Sequence, residues 1–425
     1  MKKILIIFIT ILSIILIVFI GWFIFLRDKN IPAGEAIGNL LPFGSGDNLP
    51  QTTGDTPTTP GENGQETGNQ SGSPTNNLIH LSPDPVAGAI ILTTRSNSGQ
   101  SSASTTIVRY VDRATGHIYD INPATMERTK ITNQTLPKIY EAYFKSDGNA
   151  VLLRSLINDS DIAENLSLIL TPPKTVRATS TIPSPQESEA LYAVSSVFLR
   201  GDIGSVAVGS GDTLFYNLRE ISSIFSSSFN NTKIRAILNF PFTDWRLATA
   251  ENILVLSTKA SAHVSGYTYT LNLTNGALTK LLGPLYGLTT NLNAGGNRVL
   301  YSYNESGRIK LFAKNLNDNK LSELLPTTLA EKCVWSIKNT DSVFCGAPTD
   351  QIERGEPDAW YKGATHFSDR IWLFDTKNDV SRFLAEPKSS LNVDIDVSEP
   401  KISPKEDYLI FTNHNDLSLW ALKLE

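Results

Sequence analysis

Cysteine is nearly missing from this chain of 425 residues, which contains only Cys333 and Cys345. No histidine stands beside them at the spacing of a zinc ligand. Asn339 lies midway between them in a predicted turn, so a hairpin centred there would place both side chains on one face. The sequence leaves two alternatives open: a disulfide in an oxidising compartment, or two small buried side chains.

Motifs that would identify a reaction are missing as well. The chain has no P-loop, no G-x-G-x-x-G opening a helix and no G-x-S-x-G elbow. Its acidic clusters, such as DIDVSE at 394–399, lack the spacing of a calcium loop and are typical of turns. The histidines are scattered, at His80, His117, His263, His366 and His414. We therefore expect no metal site and no cofactor, and no catalytic residue can be assigned.

The chain also lacks an excess of basic residues. Charged residues make up 19% of it and the formal net charge is -5. Nucleic-acid binding depends on concentrated lysine and arginine, so no nucleic-acid partner is expected. Hydrophobic residues make up 40%, which is enough to build a core.

No charged residue interrupts the segment 4–26, ILIIFITILSIILIVFIGWFIFL. Its length of about 23 residues corresponds to about 35 Å of helix, enough to cross a bilayer. We interpret residues 1–30 as an uncleaved membrane anchor, since the apolar core of a cleaved signal peptide is shorter. Lys2 and Lys3 precede the span, which favours a cytoplasmic N-terminus and an extracytoplasmic remainder. The opposite orientation is the alternative.

Residues 31–77 contain no lysine or arginine and few apolar side chains. The segment is rich in Gly, Pro, Thr, Asn and Gln, as in QTTGDTPTTPGENGQETGNQ, and cannot bury enough apolar surface to fold. It is predicted to be a flexible linker between the anchor and a globular domain at 78–425.

Helical periodicity is scarce from residue 78 onward. Short runs rich in Val, Ile, Leu, Tyr and Phe recur instead, separated by turns of Gly, Asn, Asp and Ser. Copies such as RVLYSYNESGRIKLFAKNLNDNKLSELLP (298–326) give three or four antiparallel strands each. At roughly 40–50 residues a unit, the domain holds seven or eight blades, and the phasing favours seven four-stranded blades of an all-β propeller. LIHLS (78–82) would supply the missing edge strand of the last blade.

The repeats resemble those of TolB-type and WD40-like β-propellers, whose units often begin S-P-D-G. The matching pieces here are Ser146-Asp147-Gly148, Ser210-Gly211-Asp212 and Ser403-Pro404-Lys405. The Trp-Asp and Gly-His dipeptides of WD40 repeats are absent from their expected places. The resemblance covers most of residues 78–425 and implies a domain that binds partners, with no catalytic residue carried over.

The segment GAPTDQIERGEPDAWYKGATHFSD (346–369) breaks the repeat pattern and is predicted to be an insertion of about twenty residues within one blade. Trp360 and Tyr361 would either pack against the domain or the mouth of its central channel, or bind a partner. In the second case Trp360 is the aromatic anchor, with Lys362 and His366 as polar contacts. Catalysis is a third interpretation and would use acidic or histidine side chains, namely Glu356, Asp358 or His366.

The sequence thus predicts a membrane-anchored, extracytoplasmic β-propeller that acts as a protein-binding or scaffold module of the cell envelope. The alternative is an envelope enzyme, for example a carbohydrate-active one, with carboxylates in the propeller channel. Two carboxylates within about 5–9 Å of each other in that channel would favour the enzyme.

Overall fold

A computed structural model describes most of the chain after the predicted linker, namely residues 77–95, 104–157, 163–173, 191–242 and 244–424. The predicted anchor (1–30) lies outside the described residues, as does the predicted linker (31–77) except for Asn77. Within the described ranges, no helix is both long enough and apolar enough to cross a membrane.

Seven four-stranded antiparallel sheets form the described part of the chain. Six have their strands in chain order, and the seventh combines the first described strand with the last three. The first strand, β1 (Leu78–Ser82), belongs to blade 7. Blade 1 comprises β2 (Val86–Arg95), β3 (Ser104–Asp112), β4 (Ile118–Ile121) and β5 (Arg128–Lys130). Blade 2 comprises β6 (Ile139–Phe144), β7 (Ala150–Leu156), β8 (Ala163–Thr171) and β9 (Ala193–Phe198). Blade 3 comprises β10 (Ile203–Val208), β11 (Thr213–Leu218), β12 (Ser223–Ser228) and β13 (Arg235–Asn239). Blade 4 comprises β14 (Trp245–Ala250), β15 (Ile253–Thr258), β16 (Ser265–Asn272) and β17 (Leu278–Tyr286).

Blade 5 comprises β18 (Thr289–Leu292), β19 (Arg298–Glu305), β20 (Arg308–Asn315) and β21 (Leu321–Glu323). Blade 6 comprises β22 (Cys333–Trp335), β23 (Ser342–Pro348), β24 (Asp369–Asp375) and β25 (Val380–Ala385). Blade 7 comprises β26 (Val397–Ile402), β27 (Tyr408–Asn413) and β28 (Leu419–Lys423), with β1 at its outer edge. Two short helices are also described, α1 (Asp358–Tyr361) and α2 (Pro387–Leu391), and a 3₁₀ turn, Ala330–Lys332. The prediction of seven four-stranded blades is confirmed.

Strand β1 closes the propeller, as the sequence predicted. It pairs antiparallel with β28, placing Leu78 opposite Leu422 and His80 opposite Trp420. Leu78 and Leu81 are buried, and the His80 ring stacks on Trp420 with centroids 4.1 Å apart. The first and last strands of the domain therefore share one sheet, which leaves neither with an unpaired edge on that side.

The second strand of each blade is the most deeply buried, because neighbouring blades cover both of its faces. In β7 the run Ala150, Val151, Leu152 and Leu153 is almost inaccessible to solvent. A strand buried on both faces reads as a continuous apolar run rather than as an alternating pattern. This explains the apolar runs AVLL in β7, TLFYNL in β11, ILVL in β15 and YLIF in β27. Outer strands such as β25 are mostly exposed and more polar.

The two faces of the propeller follow from the antiparallel order of the strands. Connections between the second and third strands of a blade, and between consecutive blades, emerge on one face, which we call the mouth face. The turns joining first to second and third to fourth strands emerge on the opposite face. The insertion lies on the mouth face, between β23 and β24, and includes α1. Since both strands extend into the segment predicted as 346–369, the connection itself spans 349–368.

Cys333 and Cys345 lie opposite each other on β22 and β23 and form a disulfide, with Cα atoms 4.1 Å apart. We expect the native protein, once denatured, to resist thiol alkylation until it is reduced, and then to take up two labels. Mass spectrometry of the tryptic peptides checks this. Two labels without reductant would contradict the bond.

Candidate binding site at the channel mouth

A cavity of about 720 Å³ occupies the centre of the propeller. Its walls come from the inner strands of several blades and from the insertion, and include Glu141, Ser205, Arg246, Tyr361 and Glu399. An adjoining cavity of about 700 Å³ shares Glu141 and Arg246 with it, so the two form one continuous depression. The volume is within the range of ligand-binding clefts.

Arg154 holds the first of the cavity's carboxylates. Its Nη1 lies 2.6 Å from Glu141 Oε2, and its Nε donates to Asn165 Oδ1 at 2.9 Å. The Tyr143 hydroxyl donates to the same Glu141 oxygen at 3.0 Å. Burial, together with the Glu141 charge, raises the pKa of Tyr143, so its phenol stays a donor at neutral pH. Two neighbours therefore hold one oxygen of the Glu141 carboxylate.

Arg246 holds the second carboxylate, Glu331. The guanidinium Nη1 lies 2.9 Å from Glu331 Oε1, and the Tyr361 hydroxyl donates to that oxygen at 2.8 Å. Arg246 also lies over the Tyr361 ring, 4.2 Å from its centroid, as in a cation–π contact. Burial raises the pKa of Tyr361, and the Glu331 carboxylate adds to this. The insertion is thus tied to the channel wall.

Glu399, the third carboxylate of the cavity wall, is not bound by an arginine as Glu141 and Glu331 are. It lies in a bulge of β26, where the pairing with β27 shifts between Ser398 and Lys401, and its φ is 48°. A left-handed backbone at a residue other than glycine costs about 1–3 kcal/mol and is often found at functional sites. Among the described residues no hydrogen bond reaches its carboxylate. Lys401 Nζ lies 3.8 Å away and donates instead to the Ala89 carbonyl at 2.7 Å.

Trp360 lies inside the domain, with 5% of its surface exposed. It packs with a small apolar group formed by Ile309, Leu329, Ile352 and Phe367. Its indole Nε1 donates to Asp396 Oδ2 at 3.0 Å, and its backbone N–H donates to Glu356 Oε2 at 2.8 Å. The insertion is therefore anchored to the connection that precedes blade 7.

A buried ionic cluster lies beneath Trp360. Lys332 Nζ contacts Asp396 Oδ1 and lies 2.8 Å from Asp369 Oδ2, and none of the three side chains reaches solvent. Asp396 also accepts the Phe367 N–H at 3.0 Å, while Asp369 accepts the Val397 N–H at 2.7 Å. These contacts join blades 6 and 7 to the insertion. We call Lys332, Asp369 and Asp396 the ionic latch.

Two further contacts hold the insertion over blades 4 and 5. Asp358 Oδ2 accepts the Ala262 N–H at 2.6 Å, and Asn304 Nδ2 donates to the Arg354 carbonyl at 3.1 Å. The insertion from blade 6 therefore reaches across its neighbours and forms a fixed rim at one side of the cavity.

The structure separates the four residues that the sequence grouped as a partner-binding candidate. Trp360 is buried, Tyr361 is half-buried in the cavity wall, and Lys362 and His366 are exposed on the insertion. Trp360 thus has a packing role, while binding by the other three stays a prediction. Glu356 and Asp358, considered for catalysis, accept backbone N–H groups instead.

Sequence reasoning missed two features of the mouth face. One is Glu399, whose SEPK context gives no sign of a left-handed bulge. The other is an aromatic group formed by Phe240, Phe242, Trp245 and Tyr269, with centroids 5.4–5.9 Å apart. Phe242 is 50% exposed on the connection between blades 3 and 4. The aromatic-rich stretch NFPFTDW (239–245) was the available signal.

The chain matches no protein-family model and no curated protein sequence. Its fold does match solved structures. TolB from Acinetobacter baumannii is 13% identical over 72% of this chain and 65% of that one, less than two thirds of TolB's length, with a TM-score of 0.39. U3-55K is 10% identical over 83% of this chain and 100% of that one, with a TM-score of 0.50. The WD40 repeats of RRP9 are 11% identical over 82% and 97%, with a TM-score of 0.49. The chain is a seven-bladed β-propeller, and its predicted likeness to TolB-type and WD40-like propellers is confirmed at the level of the fold.

Proposed function

We propose that the chain is a protein-binding module of the cell envelope, and that its partner docks on the mouth face and enters the central cavity. The observation that carries this proposal is Glu399. It is a carboxylate on strained backbone at the cavity wall, and the described part of the chain provides it with no hydrogen bond. Backbone conformations of this kind cluster at active sites and ligand clamps. A cationic group of the partner would complete its coordination.

The charges of the cavity wall favour recognition over acid–base chemistry. Glu141 and Glu331 each already bind an arginine and a tyrosine hydroxyl through one carboxylate oxygen. Asp369 and Asp396 meet at one ammonium group, so they are close enough to satisfy the distance criterion for a carboxylate pair. They are sealed beneath the insertion, however, where no substrate reaches them. Neither Glu141 with Glu331 nor Asp369 with Asp396 therefore favours the enzyme alternative.

Envelope location is part of the proposal and is supported by the sequence. The apolar segment 4–26 is long enough for an anchor, and the linker would hold the propeller off the membrane. The Cys333–Cys345 disulfide fits an oxidising compartment outside the cytoplasm. Protease treatment of intact cells tests the orientation: digestion of the propeller is expected, and a protected propeller would overturn the proposed location.

Partner binding is tested by cross-linked pull-down from native membranes with the Glu399→Gln variant. The variant removes the charge but preserves the side chain's shape. We expect capture of the partner to fall about tenfold, the usual order for one interfacial charge, with unchanged thermal unfolding. Glu127→Gln is the matched control, since Glu127 is exposed on the opposite face. Equal capture by both variants would count against the cavity as the docking site.

A further inference from the structure

A second pocket, of about 510 Å³, lies between blades 5 and 6 on the face opposite the insertion. The end of β20, the turn that follows it and two turns of blade 6 form its walls. Ala313 and Trp335 provide an apolar part of the lining. The Trp335 indole Nε1 donates to the Asn291 carbonyl at 3.1 Å, which fixes the ring. The pocket is large enough for a small organic molecule.

The lining of this pocket has an excess of positive charge. Four cations and two carboxylates contribute to it: Arg298, Lys314, Lys320, Lys377, Asp318 and Asp341. Arg298 and Asp341 neutralise each other, with Nε 2.7 Å from Oδ1. Three lysines then remain against Asp318. An excess of two positive charges therefore remains in the lining.

The ammonium groups of the three lysines keep hydrogen-bond donors that the described residues do not bind. Lys320 Nζ donates to the Lys377 carbonyl at 2.6 Å, which places one ammonium group across the boundary between the blades. Two of its protons remain to be donated. Lys314 and Lys377 form no side-chain hydrogen bond and no ion pair within the part of the chain that the structure describes. Asn315 accepts the Asn317 N–H at 3.0 Å through its oxygen, so its amide nitrogen is left as a further donor.

We propose that this pocket binds a small organic anion whose phosphate or carboxylate group is held by Lys314, Lys320 and Lys377. An oxyanion accepts charge-assisted hydrogen bonds from several ammonium groups at once. The body of the ligand would lie along Ala313 and Trp335. This site is separate from the channel mouth, and it does not depend on the function proposed for that face.

Isothermal titration calorimetry of the full chain tests the site, with pyrophosphate and citrate as probes and sucrose as the neutral comparison, all at constant ionic strength. We expect saturable one-to-one binding of at least one anion and none of sucrose. Tighter binding of pyrophosphate would identify a phosphate ligand, and tighter binding of citrate a carboxylate ligand. No saturable binding of either anion would overturn the proposal.

Variants locate the binding in the pocket. Lys314→Met and Lys377→Met keep the length of the side chain and remove its charge, and each is expected to weaken binding about tenfold. Lys314→Arg should retain it. Lys280→Met is the matched control, because Lys280 is exposed on the outer strand of blade 4 and lines none of the three cavities. Undiminished binding by the double variant Lys314→Met/Lys377→Met would show that the anion binds elsewhere and would refute the assignment.

Discussion

The Asp396→Ala variant is expected to lose about 3–5 kcal/mol of unfolding free energy, the usual cost of removing one partner from a buried ion pair. Asp396 is the main acceptor of the ionic latch. Its loss leaves Lys332 with Asp369 alone and removes the acceptors of the Trp360 indole and the Phe367 N–H. Each buried donor left without a partner adds its own cost of about 1–3 kcal/mol, partly offset by relaxation.

Chemical denaturation followed by fluorescence measures the loss, and hydrogen exchange shows where it acts. Amides of the insertion (349–368) should lose protection before those of the other blades, because the latch holds the insertion to blade 7. Asp394→Ala is the control, two residues away. Its carboxylate pairs with Lys388 in an exposed ion pair, so its removal should cost less than 1 kcal/mol. Equal losses in the two variants would contradict the role given to the latch.

The fold was largely predictable because its strongest signals are local. Runs such as AVLLRS (150–155) and YLIFTN (408–413) are apolar throughout because neighbouring blades cover both faces of the second strand. The turns between them carry Gly, Asn and Asp, which tolerate the left-handed backbone. Gly148, in the turn that joins β6 to β7, has φ 72°. Closure by 78–82 followed from counting strands, since the last repeat had only three.

The candidate site was much less predictable, because it depends on contacts between distant segments. Lys332, Asp369 and Asp396 meet only when blade 6 packs against blade 7, and the sequence gives each an ordinary polar context. The cluster DIDVSE (394–399) was interpreted as a turn. That description suits exposed Asp394, but Asp396 is buried and forms three different contacts with blade 6 and the insertion.

The insertion was predictable only in part. Its aromatic pair was recognised, and packing at the channel was one of its interpretations. The direction of each side chain was not predictable, because α1 is a single turn whose orientation is fixed by Asp358 and Glu356. That orientation buries Trp360 and places Tyr361 on Glu331 and Arg246. One residue thus stabilises the rim, while the next forms part of the cavity wall.

The stability of the latch should also depend on pH, through Asp369. Burial, with the neighbouring Asp396 charge and against the Lys332 charge, raises the pKa of Asp369 from 3.8 to about 6. The folded protein therefore binds a proton at this site more tightly than the unfolded chain does. Below the unfolded pKa both states are protonated, and no penalty arises. As the pH rises from the unfolded pKa to about 6, the stability falls, and above about 6 the folded state holds a buried second carboxylate at a cost of about 3 kcal/mol.

Asp369→Asn imitates the protonated form and removes the titration. At pH 4 its unfolding free energy should lie close to that of the wild type, since Lys332 and Asp396 still pair in both. Between pH 4 and pH 7.5 the unfolding free energy of the variant should rise relative to that of the wild type by up to about 3 kcal/mol, most steeply near about pH 5, between the unfolded and folded pKa of Asp369. Urea denaturation at half-unit pH intervals gives the difference. Asp212→Asn, the same change on an exposed turn, supplies the baseline to subtract. A difference that stays flat, or that favours the wild type increasingly as pH rises, would mean that the second carboxylate is accommodated by Lys332 without penalty. If the wild type gains stability over the variant as the pH rises, Lys332, Asp369 and Asp396 form an ionic network that is stabilised at neutral pH. Acidification would then lower the unfolding free energy of the wild type.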